Sequence, residues 1–437
     1  MLNKLLFKQI DNSGLVIFRV VFGLLVTLEA WGAIATGWVR KVLIEPEFTF
    51  NFIGFEWLQP LPGNGMYFYF AIMGIFGFMM MLGYKYRIAV IGYTLLWAGV
   101  YFMQKSSYNN HYYLMLLMLL IMSVLPANRR FSLDTKKNPN IKSTSMPRWC
   151  NLVMVLQIFI VYTYASVAKF YPDWLDASVP KILMAGKIDY PVIGAFLQLD
   201  WVHWVIAYTG ILFDLLIVPI LLWKRTRMFG FLISIFFHLF NSIVFQIGIF
   251  PYMSIAFALF FFTPKTIRKR FLPKEEYYDK GEIIISNYKK PLLILFSIYF
   301  IIQIGLPLRH WTFTDDVLWT EEGHRLSWRM MLRTKSGNVK VYVIDKNTCE
   351  ETRIDIYSKL TTKQRRALAT KPDFMWQYAQ RLKEEYAKEG KDVGVYFDAK
   401  VSVNRKPLRQ FVNRDVDIAA EKWYHFKHHE WILPSKD

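Results

Sequence analysis

Nine runs of apolar residues, each close to bilayer-crossing length, fill most of the first 306 positions: 13–34, 64–84, 86–104, 110–126, 149–169, 202–223, 228–246, 248–262 and 290–306. About twenty apolar residues in a helix span the hydrocarbon core, where every backbone polar group must be satisfied inside its own segment. A chain written this way is restricted to an α-helical multi-pass membrane protein. The 35 residues from Met228 to Phe262 are too long for one span, and Gly248 and Pro251 predict a break into two.

The charges lie between these runs. A net charge of +19 invites a nucleic-acid reading, yet the basic residues punctuate hydrophobic segments, which is the signature of membrane topology; nucleic acid is excluded as a partner and the bilayer takes its place. With Lys4 and Lys8 on the cytoplasmic side, the other cytoplasmic loops carry Lys85 and Arg87, the basic stretch 127–148, Lys224 to Arg227, and 263–289. The opposite loops, 35–63 and 170–201, hold Glu45, Glu47, Glu56, Asp173, Asp176, Asp189 and Asp200 against few cations. Nine spans with the N-terminus inside follow, with residues 1–306 as the membrane part and 307–437 outside. No small-residue cleavage site follows the basic N-terminus, so the first span is expected to stay as an anchor.

In 307–437, VKVYVID (339–345), TRIDIY (352–357) and VGVYFDAKVSV (393–403) alternate like half-buried strands, while TTKQRRALAT and FMWQYAQRLKEEYAKEG read as helices, the second ending at Gly390. The expectation is a β-rich or α+β extracytoplasmic domain. Cys150 falls at the inner end of the fifth span and Cys349 outside, so the two cannot bridge within one chain. His425, His428 and His429 form a KWYHFKHHE patch that reads as solvated surface, without zinc spacing.

Topology puts Lys169, where the fifth run ends before Pro172, at the same leaflet as Asn110 and His111, where the fourth begins. A lysine made neutral by burial is a base, and a histidine and asparagine supply hydrogen bonds to a developing oxyanion. The plainer alternatives are a snorkelling lysine and an asparagine that caps its helix. His238 and Asn241, three residues apart in the seventh run, and Asp214, deep in the sixth, are costly in lipid unless they form an intramembrane polar network or face a ligand pocket. Arg19 and Glu29 are expected to pair with other helices. In WTEEGHRLSWRMML, read as a strand, His324, Leu326, Trp328 and Met330 share one face while Arg325 and Arg329 share the other. Arginine suits bidentate carboxylate recognition, which makes His324, Arg325, Trp328 and Arg329 candidate substrate-binding residues.

Read in order, FRVVFGLLVTLE (18–29), QPLPGNGMYFYFAIMGIFGFMMMLGYKYRI (59–88), KSSYNNHYYL (105–114), QIFIVYTYASVAKFYPDWL (157–175), FHLFNSIVFQIGIFPY (237–252) and PLRHWTFTDDVLWTEEGHRLSWRMML (307–332) resemble the vitamin K-dependent gamma-glutamyl carboxylase family, of the bacterial HTTM-domain type. The resemblance is strong over about residues 15–335 and weaker beyond. It implies a membrane enzyme, a lyase by class, that uses reduced vitamin K (menaquinol or phylloquinol), O2 and CO2 and no metal. Quinol epoxidation is coupled there to carboxylation of glutamate on a protein or peptide. It also implies that Lys169 is the base that deprotonates the quinol, and that Asn110 and His111 lie in the same active site. The expected location is a bacterial cytoplasmic membrane with the C-terminal domain extracytoplasmic. The chain is shorter than the animal members, so propeptide recognition and processivity are not carried over. Two alternatives stay open: a quinol epoxidase without efficient carboxylation, and a non-enzymatic lipid-binding receptor or transporter.

Overall fold

A computed structural model describes residues 1–436. The nine apolar runs are all helical: α1 (Ser13–Ala35), α2 (Gly65–Leu82), α3 (Tyr86–Met103), α4 (Asn110–Val124), α5 (Trp149–Val167), α6 (Asp200–Leu222), α7 (Arg227–Phe245), α8 (Phe250–Phe257) and, after the short basic helix α9 (Pro264–Phe271), α10 (Lys289–Leu308). Two of the nine runs are not ordinary spans. Seven helices are long and apolar enough to cross a membrane, and an eighth would be the pair Phe250–Phe260 and Pro264–Phe271, bent by 116° at the break. With 15 residues, α4 rises only about 22 Å, short of the hydrocarbon thickness. The predicted break between α7 and α8 is present, at Gln246 and Gly248, both with positive φ, while Pro251 opens α8 as a first-turn proline.

Helix α1 packs on α2, α5 on α6, and α7 on both α6 and α8. Lipid supplies no hydrophobic drive between helices, so close backbone approach at small residues matters. Gly23 of α1 shows it: a Cβ there would lie 2.5 Å from the Met81 backbone nitrogen. Glu29 accepts from the Tyr112 hydroxyl of α4 at 2.8 Å, the expected partner on another helix, whereas Arg19 donates to the carbonyls of Ala127, Arg130 and Phe131 in the loop after α4 and not to a helix.

The loops gather at two ends. Residues 9–11 and 145–147 form a small antiparallel sheet, and Arg130 pairs with Asp11 and Glu275, so the N-terminus, 127–148 and the segment after α9 share one end. At the other end lie 35–63, the α3–α4 turn, the residues after α5, and the described residues beyond Leu308. There, β1 (Lys335–Asp345), β2 (Glu351–Arg353), β3 (Val393–Val403) and β4 (Arg409–Gln410) form an antiparallel sheet in the order β2-β1-β3-β4. Val341, Val343, Val395, Phe397 and Val401 bury one face against α11 (Thr362–Thr370) and α12 (Pro372–Lys388). Phe50, from the α1–α2 loop, enters that core against Phe374 at 4.6 Å. Helix α12 ends just before Gly390, as its sequence predicts. The expected strand over 352–357 is cut short: Asp355 caps a helical turn, Ile356–Lys359, which ends strand pairing after Arg353.

WTEEGHRLSWRMML is not a strand. After a short helix, Val317–Thr320, it winds as irregular backbone with positive φ at Glu321, Gly323, Leu326, Trp328 and Met331, so its alternation of residue types does not become two faces. Four of those five are not glycine, a concentration of left-handed backbone that a folded chain holds only where its surroundings over-determine it.

Candidate functional site

A cavity of about 360 Å³ opens among α5, α6 and α7, with His111 of α4, Phe250 of α8, and Met330 and Met331 of the wound segment completing its wall. Most of the lining is apolar, including Leu183, Val202, Phe236, Phe240 and Ile247. Five polar candidates from the sequence converge on it: His111, Lys169, Asp214, His238 and Asn241.

Helix α5 stops two residues before Lys169, and α6 runs antiparallel beside it, with the Ser166 hydroxyl on the Ile211 carbonyl and the Trp174 indole on the Ala207 carbonyl. The lysine does not snorkel. Its chain doubles back into the membrane, so Nζ donates to the Ala165 carbonyl at 2.8 Å and reaches Asp214 Oδ2 at 2.5 Å, with the lysine 7% exposed. Trp174 lies beside it, 5.7 Å from Nζ to the ring centroid.

On the facing wall, His238 is fully buried; its Nε2 shares a 2.9 Å hydrogen bond with the Tyr162 hydroxyl and its Nδ1 has no partner among the described residues. The His111 ring stacks on Phe250 at 4.2 Å, and neither it nor the Asn241 amide makes a hydrogen bond among the described residues. The cavity thus offers one ion pair and several uncommitted hydrogen-bonding atoms in an apolar chamber.

Asn110 is not in this wall. Its amide donates to the Arg329 carbonyl at 3.0 Å and its oxygen accepts from Tyr108. Nor is it the helix cap, because Asn109 takes that role by accepting from the Tyr112 amide.

Residues 7–265 match the model of the HTTM domain, and residues 288–437 match that of the vitamin K-dependent gamma-carboxylase lumenal domain. The chain belongs to the vitamin K-dependent gamma-carboxylase family. It is an integral membrane protein with a vitamin K-dependent carboxylase kind of function, and its sheet-bearing end corresponds to the family's lumenal domain. No solved structure matches it.

In this carboxylase-family chain the segment 324–329 departs from its reading as an open arginine face. Arg325 closes in bidentate fashion on Asp373 at 2.7 and 3.2 Å, and Lys105 joins the same carboxylate at 2.5 Å. Trp328 is core, 1% exposed and stacked on Tyr113 at 4.9 Å. His324 is half-buried, with Nδ1 unpartnered among the described residues. Arg329 has one long contact, 3.4 Å to His310, and leaves Nε unpartnered.

Of this segment, Arg325 and Leu326 border a second cavity of about 340 Å³ between the membrane helices and the outer domain, lined also by Lys105, Arg309, Asp373, His425 and His429. The histidine patch is therefore not simply solvated: Glu322 accepts from the backbone and ring of His429 and pairs with His428 Nδ1 at 2.6 Å, which folds the terminal segment over this cavity. Burial lowers Lys105 to about 8 against the opposing pull of Asp373. Burial alone would raise the Asp373 carboxyl, but Arg325 and Lys105 outweigh it and hold it well below the carboxylate range.

Sequence reasoning missed Tyr162, Arg309 and the Lys105–Asp373 pair. Tyr162 sits on α5 seven residues before Lys169, about two turns if the helix is continued to the lysine, a spacing that would have found it. Asp373, by contrast, is 268 positions from Lys105, and nothing local announces the contact.

Proposed function

We propose that the chain binds reduced vitamin K, menaquinol or phylloquinol, in the cavity among α5, α6 and α7 and couples its epoxidation by O2 to the carboxylation of protein or peptide glutamate with CO2. The observation that carries this reading is the convergence of Lys169, His111, His238, Asn241 and Asp214 on one apolar chamber. That chamber fits such a ring system: its volume lies in the usual range for small-molecule pockets, its walls are apolar, and the unpartnered His238 Nδ1 asks for a polar group from outside the protein. Reduced vitamin K supplies, with O2, the strongly basic chemistry that activates a glutamyl γ-carbon toward CO2.

The protein's part is positioning and proton handling. Lys169 Nζ is the base that receives a hydroxyl proton. His111, His238 and Asn241 direct hydrogen bonds into an apolar chamber, where they stabilise developing negative charge more than they would in solvent. Asn110 holds the Arg329 backbone and so fixes the segment whose Met330 and Met331 close the chamber. On the glutamate side, the segment holding His324, Arg325, Trp328 and Arg329 forms the approach, with Arg329 and Arg309 carrying the spare donors.

One observation favours the narrower reading, epoxidation without efficient carboxylation: Arg325 is already committed to Asp373. Purified protein supplied with quinol, a glutamyl peptide and labelled CO2 decides between them. Epoxide with label in the peptide supports the coupled reaction, epoxide alone supports the narrower one, and neither removes both. For topology we propose residues 1–306 as the catalytic membrane part, an N-terminus in the cytoplasm of a bacterium, and residues 307–437 outside. Single cysteines placed at 140 and 380 test this, since an impermeant reagent should label only the second in intact cells.

A further inference from the structure

Resting on Lys169 as the base, we infer that Asp214 is the positioning residue that takes the lysine's own proton, so that the pair, and not the lysine alone, accepts the proton of the substrate hydroxyl. Nζ and Oδ2 stand 2.5 Å apart, and both side chains are nearly closed to solvent. The proton on Nζ thus has a short path to oxygen, and water has little access to either group.

A buried amine becomes a base through desolvation alone, without any carboxylate. A carboxylate beside it adds a second buried charge, which is costly unless it is used. Asp214 lies near the middle of α6, within the apolar span, and accepts from no other side chain among the described residues. Its partner is Lys169, and both line the chamber.

The step balances within the protein. A hydroxyl O–H bond breaks as an N–H bond forms on Nζ, while another N–H bond of Nζ breaks and an O–H bond forms on Asp214 Oδ2. The pair passes from zero net charge to +1, opposite the anion it has made. No buried charge of either sign is added beyond those exchanged, since negative charge only moves from Asp214 to the oxygen facing Lys169. The titratable groups facing the pair across the chamber are Tyr162 on α5, His111 on α4 and His238 on α7; the wound segment meets it with Met330 and Met331, neither of them titratable.

The test uses the full chain in nanodiscs. A carboxyl ordinarily releases its proton about six pH units below an ammonium, so if the vacancy for the incoming proton lies on Asp214, removing it hands the acid limb to the lysine. Asp214→Asn should lower epoxide formation near neutrality by about a hundredfold, with activity recovering about tenfold per pH unit as the medium is made alkaline. Asp214→Glu should restore part of the neutral rate and the original limb. Independently of turnover, infrared titration of the quinone-free protein should show, within the protonated-carboxyl band that grows in at acid pH, one component that is missing from Asp214→Asn and changes midpoint in Lys169→Ala. An Asp214→Asn protein with an unshifted profile overturns the inference, and so does one that folds, is inactive at every pH and leaves the carboxyl band intact. Retained epoxidation in Lys169→Ala would sink the assignment of the base itself, an outcome no Asp214 variant produces.

Discussion

The two cavities differ in how far their charges are networked. In the outer one, Asp373 is claimed by Arg325 and Lys105, Glu321 by Arg333 and Lys335, and Glu322 by two histidines. In the inner one, polar groups are few and several ring and amide atoms have no partner. Charges joined in closed networks hold architecture together, whereas uncommitted polar atoms in an apolar chamber cost stability and persist where a ligand completes them. In the proposed function it is the chamber with fewer charges that carries the chemistry.

The sharpest way to break that contrast is Lys169→Ala. Loss of a general base should cost about 10²–10⁴ in quinol epoxidation, read directly as epoxide by chromatography, with the thermal unfolding midpoint little changed. Full epoxidation in this variant would return the lysine to a structural role.

Asp373→Ala should do the reverse, harming the fold more than the chemistry. It leaves the Lys105 ammonium and the Arg325 guanidinium buried without their shared carboxylate, a loss of about 3–5 kcal/mol visible in thermal unfolding. The same group makes stability depend on pH. Because the folded state depresses the Asp373 carboxyl, its contribution is complete above the ordinary carboxyl range near pH 4 and is lost as the pH falls through the folded value. Acid should therefore loosen the contact between helices and sheet in the wild type, and in Asp373→Ala that acid sensitivity should shrink.

A smaller effect is expected of His111→Ala, about ten- to a hundredfold in epoxidation with folding intact, since it removes a stabilising donor and not the proton acceptor. The smallest separates two arginines of one segment. Arg329→Gln should raise KM for a glutamyl peptide about tenfold with quinol dependence unchanged, equivalent to one charge-assisted hydrogen bond. Arg325→Gln should instead lower the unfolding temperature, because its guanidinium is spent on Asp373. Equal behaviour of the two would erase the distinction drawn between them.

Much of the helical part was readable from residue order because lipid imposes a simple rule: a long apolar run must be a helix, and the charges between runs tell which ends lie together. Depth was readable for the same reason, so Lys169 and His111 could be assigned to one leaflet. Helix rotation was not, and it is rotation that turns Lys169, His238 and Asn241 toward one another and takes Asn110 away. The direction of the Lys169 side chain was also hidden, since snorkelling and doubling back are equally compatible with its position in the chain. In the outer part, β1 and β3 followed from alternation, but the same pattern misled in 321–331, where positive φ values set by the surroundings override it.

The turn that begins α4 has a consequence of its own. Tyr108 receives the Leu326 amide on its hydroxyl, Asn110 grips the Arg329 carbonyl, and the next residue, His111, presents its ring to the chamber. Met330 and Met331, which close that chamber, hang from the strand of backbone so gripped. That short turn thus ties down backbone on the walls of both cavities, since Leu326 lines the outer one and Met330 and Met331 the inner one, and the two walls share a single support.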